Sequence, residues 1–130
     1  MLGESYRSGM TRSLADSFRY AFRGVLYALR TQPNIRVHLA VALLVVAAAV
    51  WLGVSPPEMA LLVLAIGLVL VSEMVNTAVE TLLDALAPGY HALVGAAKDV
   101  SAGAVLVSAV GAVLVGLAVL GPPLLRRLGL

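Results

Sequence analysis

Residues 71–84 read Val71-Ser72-Glu73-Met74-Val75-Asn76-Thr77-Ala78-Val79-Glu80-Thr81-Leu82-Leu83-Asp84, three acids and an amide set into an otherwise apolar helical pattern. At about 100° per residue, Glu73, Glu80 and Asp84 project within about 20° of one direction, and Asn76 lies about 60° to one side. The run before this stripe, residues 59–71, carries no charge, and Ala87-Pro88-Gly89 ends the pattern. A helix over 59–86 exceeds the roughly 17 to 25 residues that span a hydrocarbon core. Its last turns therefore leave the lipid or rest on other protein. An ionised carboxylate near the bilayer centre costs at least a few kcal/mol, so such groups face a bundle interior or an aqueous cavity and mark function. Glu73 is the deepest of the three, and Asp84, at the exit, is also open to the plainer reading of a solvated end.

The flanking segments have the same character. Residues 37–51 are apolar apart from His38, and with a start near Asn34 they reach Gly53 as a first span. Gly53-Val54-Ser55-Pro56-Pro57-Glu58 then combines a turn residue, a capping serine and two prolines, the pattern of a short loop and a new helix start. After the stripe, a short polar stretch over 90–99 leads to a third apolar run over 100–120, which Gly121-Pro122-Pro123 is expected to stop. Ala97, Ser101, Ala104, Ser108 and Gly111 fall near one face of that run, and small faces let helices approach closely in lipid. Three thin helices enclose little by themselves, so oligomerisation is expected.

Composition agrees. Of 130 residues, 61% are hydrophobic and 12% charged, far above the usual apolar share of about 45 to 50%. The absence of cysteine excludes disulfide scaffolds, thiolate zinc sites and cysteine nucleophiles, and leaves the redox compartment open. Arg7, Arg12, Arg19, Arg23, Arg30 and Arg36 precede the first span, interleaved from Leu14 to Leu29 with apolar residues at spacings of three and four. That is how an amphipathic helix lies on anionic headgroups, and it is unlike a signal peptide or a nucleic-acid arm. The positive-inside rule puts this end in the cytoplasm and the arginine-free loop near Ser55 outside. With three spans Arg126 and Arg127 then lie outside, a cost for which the sequence offers no compensation. The division expected is an amphipathic surface segment over 1–33, a three-helix membrane domain over 34–121 and a tail over 122–130.

For chemistry, oxygen ligands one heptad apart with an amide between suit a hard cation such as Mg²⁺ better than zinc. A metal held by carboxylates usually completes its shell with phosphate oxygens, which points to a nucleotide. Lys98-Asp99, at the start of the third run, offers an ammonium for phosphate and an acid favoured by a helix N-terminus, although an anchor and cap is the plainer reading. His38 and His91 lack a second histidine at ligand spacing, and Trp51, Tyr27 and Tyr20 fit interfacial belts. No GxxxxGK[ST] loop, GxSxG elbow or HExxH motif occurs. A kinase built on this chain holds its nucleotide with helical side chains and a metal.

At this point the residues resemble a known family. The string from Glu73 through Asp84, then Tyr90-His91, then Ala97-Lys98-Asp99-Val100-Ser101-Ala102-Gly103-Ala104, is similar to the prokaryotic diacylglycerol kinase and undecaprenol kinase family, and the likeness extends upstream through Ser17-Phe18-Arg19-Tyr20 and Asn34-Ile35-Arg36-Val37-His38. The resemblance implies a homotrimer of three-span subunits with a surface helix, active sites between subunits, and transfer of phosphate from ATP to a lipid alcohol in the bacterial cytoplasmic membrane. It implies Glu73 as catalytic base and Glu80 as metal ligand. It implies Asn76, Lys98, Asp99, Tyr20 and Gly89-Tyr90-His91 as nucleotide contacts, with Asp84 supporting. One departure stands out: the family's second metal-binding glutamate is replaced by Gln32, an oxygen donor without charge. The Asn34-Ile35-Arg36-Val37-His38 and Asn76-Thr77-Ala78 forms look more like undecaprenol kinases than like enteric diacylglycerol kinases. Two readings of other classes remain: an oligomeric proton or ion conductor lined by Glu73, Glu80 and Asp84, and a membrane anchor that recruits a partner through its basic first helix.

Overall fold

The computed structural model describes residues 13–89 and 91–130, all of whose regular structure is helical. Four helices follow in order: α1 over Leu14–Thr31, α2 over Pro33–Leu52, α3 over Pro56–Leu86 and α4 over Ala92–Leu128. The last three are each long and apolar enough to cross a membrane, as the sequence implied. Arg7, Arg12 and the first part of the expected surface segment lie outside the described residues.

Local chemistry sets the helix ends. Ser13 caps α1 by accepting a hydrogen bond from the Asp16 N–H at 3.2 Å. Gln32 closes α1 through its backbone N–H to the Ala28 carbonyl and at once precedes Pro33, whose fixed φ suits the first position of α2. Gly53 ends α2 with φ +68°, a left-handed conformation that favours glycine, while Gly53 N–H and Val54 N–H turn back to the Val50 and Ala49 carbonyls. At Ser55 the Glu58 carboxylate accepts from the backbone N–H at 2.7 Å and from the hydroxyl at 2.8 Å, which starts α3.

Helices α3 and α4 form the most extensive pair, an antiparallel hairpin about the turn at Ala87, Pro88 and Gly89, and α2 packs against both. Ala49, Leu62 and Val119 form the buried centre at the end of the bundle away from that turn. Along α3 the buried positions are Leu62, Val69, Glu73, Asn76 and Thr77, at spacings of seven, four, three and one. One helical face therefore runs from apolar to polar as it approaches the hairpin turn. Between α2, α3 and α4 lies an apolar cleft of about 260 Å³, flanked by Ala42, Val45, Leu62, Ile66 and Ala112.

Two expectations for α4 are corrected. The stretch over 90–99 is not a separate polar connection, since His91 caps the helix by accepting from the Leu93 N–H at 3.2 Å and α4 begins at Ala92. Lys98 and Asp99 thus sit almost two turns inside the helix, beyond the reach of its terminal dipole. Nor does Gly121-Pro122-Pro123 stop α4, which continues to Leu128 with both prolines inside it. Proline removes an N–H but keeps a helical φ, and membrane helices accommodate it. The extension gives Arg127 a partner that the sequence did not reveal. Its Nη1 donates to the Trp51 carbonyl at 2.8 Å, and its guanidinium lies 4.4 Å from the centre of the Trp51 ring. A cation there meets the carbonyl end of α2, where charge and orphan acceptors favour it. Arg127→Ala is expected to destabilise the fold by roughly 1 to 2 kcal/mol. Trp51→Ala should overlap with it rather than add, a result readable from thermal unfolding in detergent.

Candidate functional site

The polar half of the α3 face and the first turns of α4 meet beside the hairpin turn. Glu73 is 2% exposed and Asn76 8% exposed, whereas Glu80 is half-buried and Asp84 open. The stripe read from the sequence is therefore graded, from an enclosed carboxylate to a solvated one. No described residue donates a hydrogen bond to the Glu73 carboxylate, and Thr77 Oγ1 bonds instead to the Glu73 backbone carbonyl at 2.9 Å. None of its carboxylate oxygens is both fully enclosed and unpartnered, so its slight residual exposure belongs to the oxygens. An enclosed carboxylate with free lone pairs and a narrow opening is placed to accept a proton.

Next to it runs a chain of hydrogen bonds. Ser101 Oγ donates to Asn76 Oδ1 at 2.6 Å, and Asn76 Nδ2 donates to Glu80 Oε1 at 3.3 Å. Nearer the turn, the Lys98 ammonium pairs with the Asp84 carboxylate. Farther away, Ser72 Oγ and Ser108 Oγ lie 2.7 Å apart. These cross-pairs, 72 with 108, 76 with 101 and 84 with 98, sit about equally far on either side of the turn, as an antiparallel hairpin requires.

Of the expected site residues, the hairpin joins Asp84 with Lys98, while Asn76 and Glu80 pair one turn apart within α3. Asp99 is exposed beside Lys98. Gly89 holds φ +122° in the turn, a conformation that favours glycine, and His91 caps α4. Tyr90 lies outside the described residues. Tyr20, on α1, has the guanidinium carbons of Arg19 and Arg23 at 5.3 and 6.0 Å from its ring centre. Gln32 sits half-buried at the joint between α1 and α2, and its side chain bonds neither Glu80 nor any other described residue. The sequence reading noted Ser101 and Ser108 only as small residues. Their spacing across the turn from Asn76 and Ser72 was the available signal that they are interhelical partners.

Among the described residues no three His, Cys, Asp or Glu side chains come close enough to hold a metal. Zinc-like cages made by protein alone are thus absent from this set. Magnesium, however, commonly takes one or two carboxylates and fills its shell with water and substrate phosphate. The Glu80 carboxylate, half-buried and held by an amide, fits that mode. A second opening lies on the other side of α3: a groove of about 510 Å³ between α1 and α3, lined by Gly24, Tyr27, Ala28, Met74, Ala78 and Thr81. Its walls are almost wholly apolar, and α1 closes one side.

Comparison with known proteins gives these features their class. The family model described as prokaryotic diacylglycerol kinase matches residues 19–120. The chain is 45% identical to a diacylglycerol kinase of Synechocystis over 87% of its own length and 65% of that protein's, so it spans a little under two thirds of that relative. It is 37% identical to the undecaprenol kinase of Bacillus subtilis over 95% of the chain and 100% of the relative. It is 33% identical to the diacylglycerol kinase of Escherichia coli K12 over 82% and 87%. Three membrane-crossing helices, the middle one carrying Glu73, Glu80 and Asp84 toward one end, thus go with a family of membrane lipid kinases. More particularly, the chain belongs to the prokaryotic diacylglycerol kinase family.

Proposed function

We propose that this protein transfers the γ-phosphate of ATP to the hydroxyl of a membrane lipid alcohol, undecaprenol, at the cytoplasmic face. The observation that carries the reading is the nearly buried Glu73 carboxylate, without a hydrogen-bond donor among the described residues, next to the Asn76–Glu80 pair. Glu73 takes the proton of the lipid hydroxyl. That oxygen forms a bond to the γ-phosphorus while the bond to the β-γ bridging oxygen breaks, and ADP leaves. Glu80 would hold magnesium, with Gln32 as a neutral second oxygen donor, and the ion would supply neutralisation of charge on the phosphates. Asn76, Lys98, Asp99, Tyr20 and the Gly89-Tyr90-His91 turn hold the nucleotide. Lys98 must exchange Asp84 for phosphate to do so, which gives Asp84 its supporting role. Such catalysis is mostly positioning and charge stabilisation.

The apolar groove between α1 and α3 suits the chain of the lipid, with the basic face of α1 at headgroup depth. At most 17% of the residues in the apolar window of any span are buried within one chain. One copy leaves its site open, and a homotrimer supplies the missing walls. Five arginines ahead of α2, with Arg36 in its first turn, favour a cytoplasmic site.

Undecaprenol is favoured by the Asn34-Ile35-Arg36-Val37-His38 and Asn76-Thr77-Ala78 stretches and by a relative of that name aligned over its whole length. Diacylglycerol is favoured by the name of the relative at 45% identity. Purified protein in liposomes, given γ-labelled ATP and either lipid, separates them: the expected result is at least a ten-fold higher kcat/KM for undecaprenol. Preference for diacylglycerol would transfer the assignment to that lipid. Ion flux indifferent to ATP, without labelled lipid, would replace the kinase by a conductor.

A further inference from the structure

The Ser101 hydroxyl of α4 hydrogen-bonds the carboxamide of Asn76, at 2.6 Å from Oδ1. The other end of that carboxamide is 3.3 Å from Glu80 Oε1. An amide has an acceptor end and a donor end, and the two neighbours here discriminate between them. Glu80, when ionised, accepts only, so Nδ2 must face it and Oδ1 must face Ser101. Turning the amide over would set oxygen against oxygen at Glu80. The hydroxyl carries a single proton and has a second acceptor within reach, the Lys98 carbonyl at 2.9 Å. With Oδ1 facing it, the proton goes to Asn76, the shorter of the two contacts. Asn76 is almost fully buried, so water does not offer it a ready alternative partner.

From this geometry we infer that Ser101 is a positioning residue for the nucleotide site: its hydroxyl locks the Asn76 amide in the orientation that steers Glu80 toward the metal-bound phosphates. The inference rests on the kinase reading above. It assigns a role to a residue on α4 outside the expected nucleotide contacts. It also distinguishes Ser101 from Ser108, one helical heptad further along the same face, whose bond to Ser72 joins the helices without reaching any acid.

The effect acts on ground state and transition state alike, so it appears in KM for the magnesium nucleotide more than in kcat. Ser101→Ala is expected to raise KM for Mg-ATP about three- to thirty-fold, the span of one lost hydrogen bond to a polar or charged chain, with kcat within about two-fold. Equilibrium binding of a non-hydrolysable ATP analogue with magnesium should weaken by the same factor, and half-saturating magnesium should rise. Ser101→Thr, which keeps the hydroxyl, is expected to restore both. Ser108→Ala, a loss of the same kind of interhelical bond, is expected to leave KM and analogue binding unchanged. In an Asn76→Ala background, Ser101→Ala should add less than two-fold, because the group it orients is gone. If the alanine variant does not assemble, Ser101→Cys, a weaker donor of similar shape, should give a smaller shift in the same direction. Unchanged KM and analogue affinity in the Ser101 variants, or an equal shift from Ser108→Ala, would show that the hydroxyl merely packs α4 on α3. A wild-type protein that phosphorylates lipid alongside an indistinguishable Ser101→Ala protein overturns this inference alone. A wild-type protein that binds no magnesium nucleotide overturns it together with the kinase reading.

Discussion

Glu73→Gln is expected to lower kcat for lipid phosphorylation by about 10² to 10⁴, the range that a positioned general base contributes. Glutamine matches glutamate in shape, so the fold should survive, while the charge and the ability to accept a proton are removed. Enclosure makes the effect large: at 2% exposure little bulk water reaches Glu73 to take over the role. Stability should rise or stay level, since a buried carboxylate without a hydrogen-bonding partner among the described residues is replaced by a neutral amide. Binding of Mg-ATP should be nearly unchanged. A kcat within three-fold of wild type in the liposome assay would remove Glu73 from the chemistry.

The second large effect is expected from the cation. Chelation of magnesium should abolish phosphate transfer. Glu80→Gln should raise the magnesium requirement at least ten-fold and lower kcat/KM by about 10², because the one half-buried carboxylate fixed by an amide is lost. Its pairing with Asn76 sets the contrast with Asp84→Asn. The latter frees Lys98 from its ion pair and should leave the magnesium requirement close to wild type. Magnesium titrations of the two variants separate these outcomes. If Glu80→Gln and wild type titrate alike, the metal is held elsewhere.

Much of the architecture was legible in the residues because the bilayer imposes a length on every span and penalises charge within it. The capping serine at 55 and the glycine at 53 marked the first loop for reasons that operate within a few residues. The stripe of Glu73, Glu80 and Asp84 was legible for the same local reason, since helical period alone sets which side chains share a face. Where the reading failed, the deciding contact was distant in sequence. The prolines at 122 and 123 look like a stop when considered by themselves, yet α4 runs on to place Arg127 against Trp51, on the end of another helix. The start of α4 was missed because its cap is a histidine, which shares that use with many others.

By itself, then, the sequence determined three membrane spans, a basic surface helix and an acidic face on the middle span, all consequences of hydropathy and helical period. It also carried enough of a family's pattern to suggest the chemistry. Only the tertiary structure decided that Glu73 is nearly buried and without a hydrogen-bond donor among the described residues, that Asn76 is clamped between Ser101 and Glu80, and that Lys98 is already paired with Asp84. Burial and partnership depend on which residues the hairpin brings opposite one another, and that register is set by packing between helices rather than by any property of one helix alone.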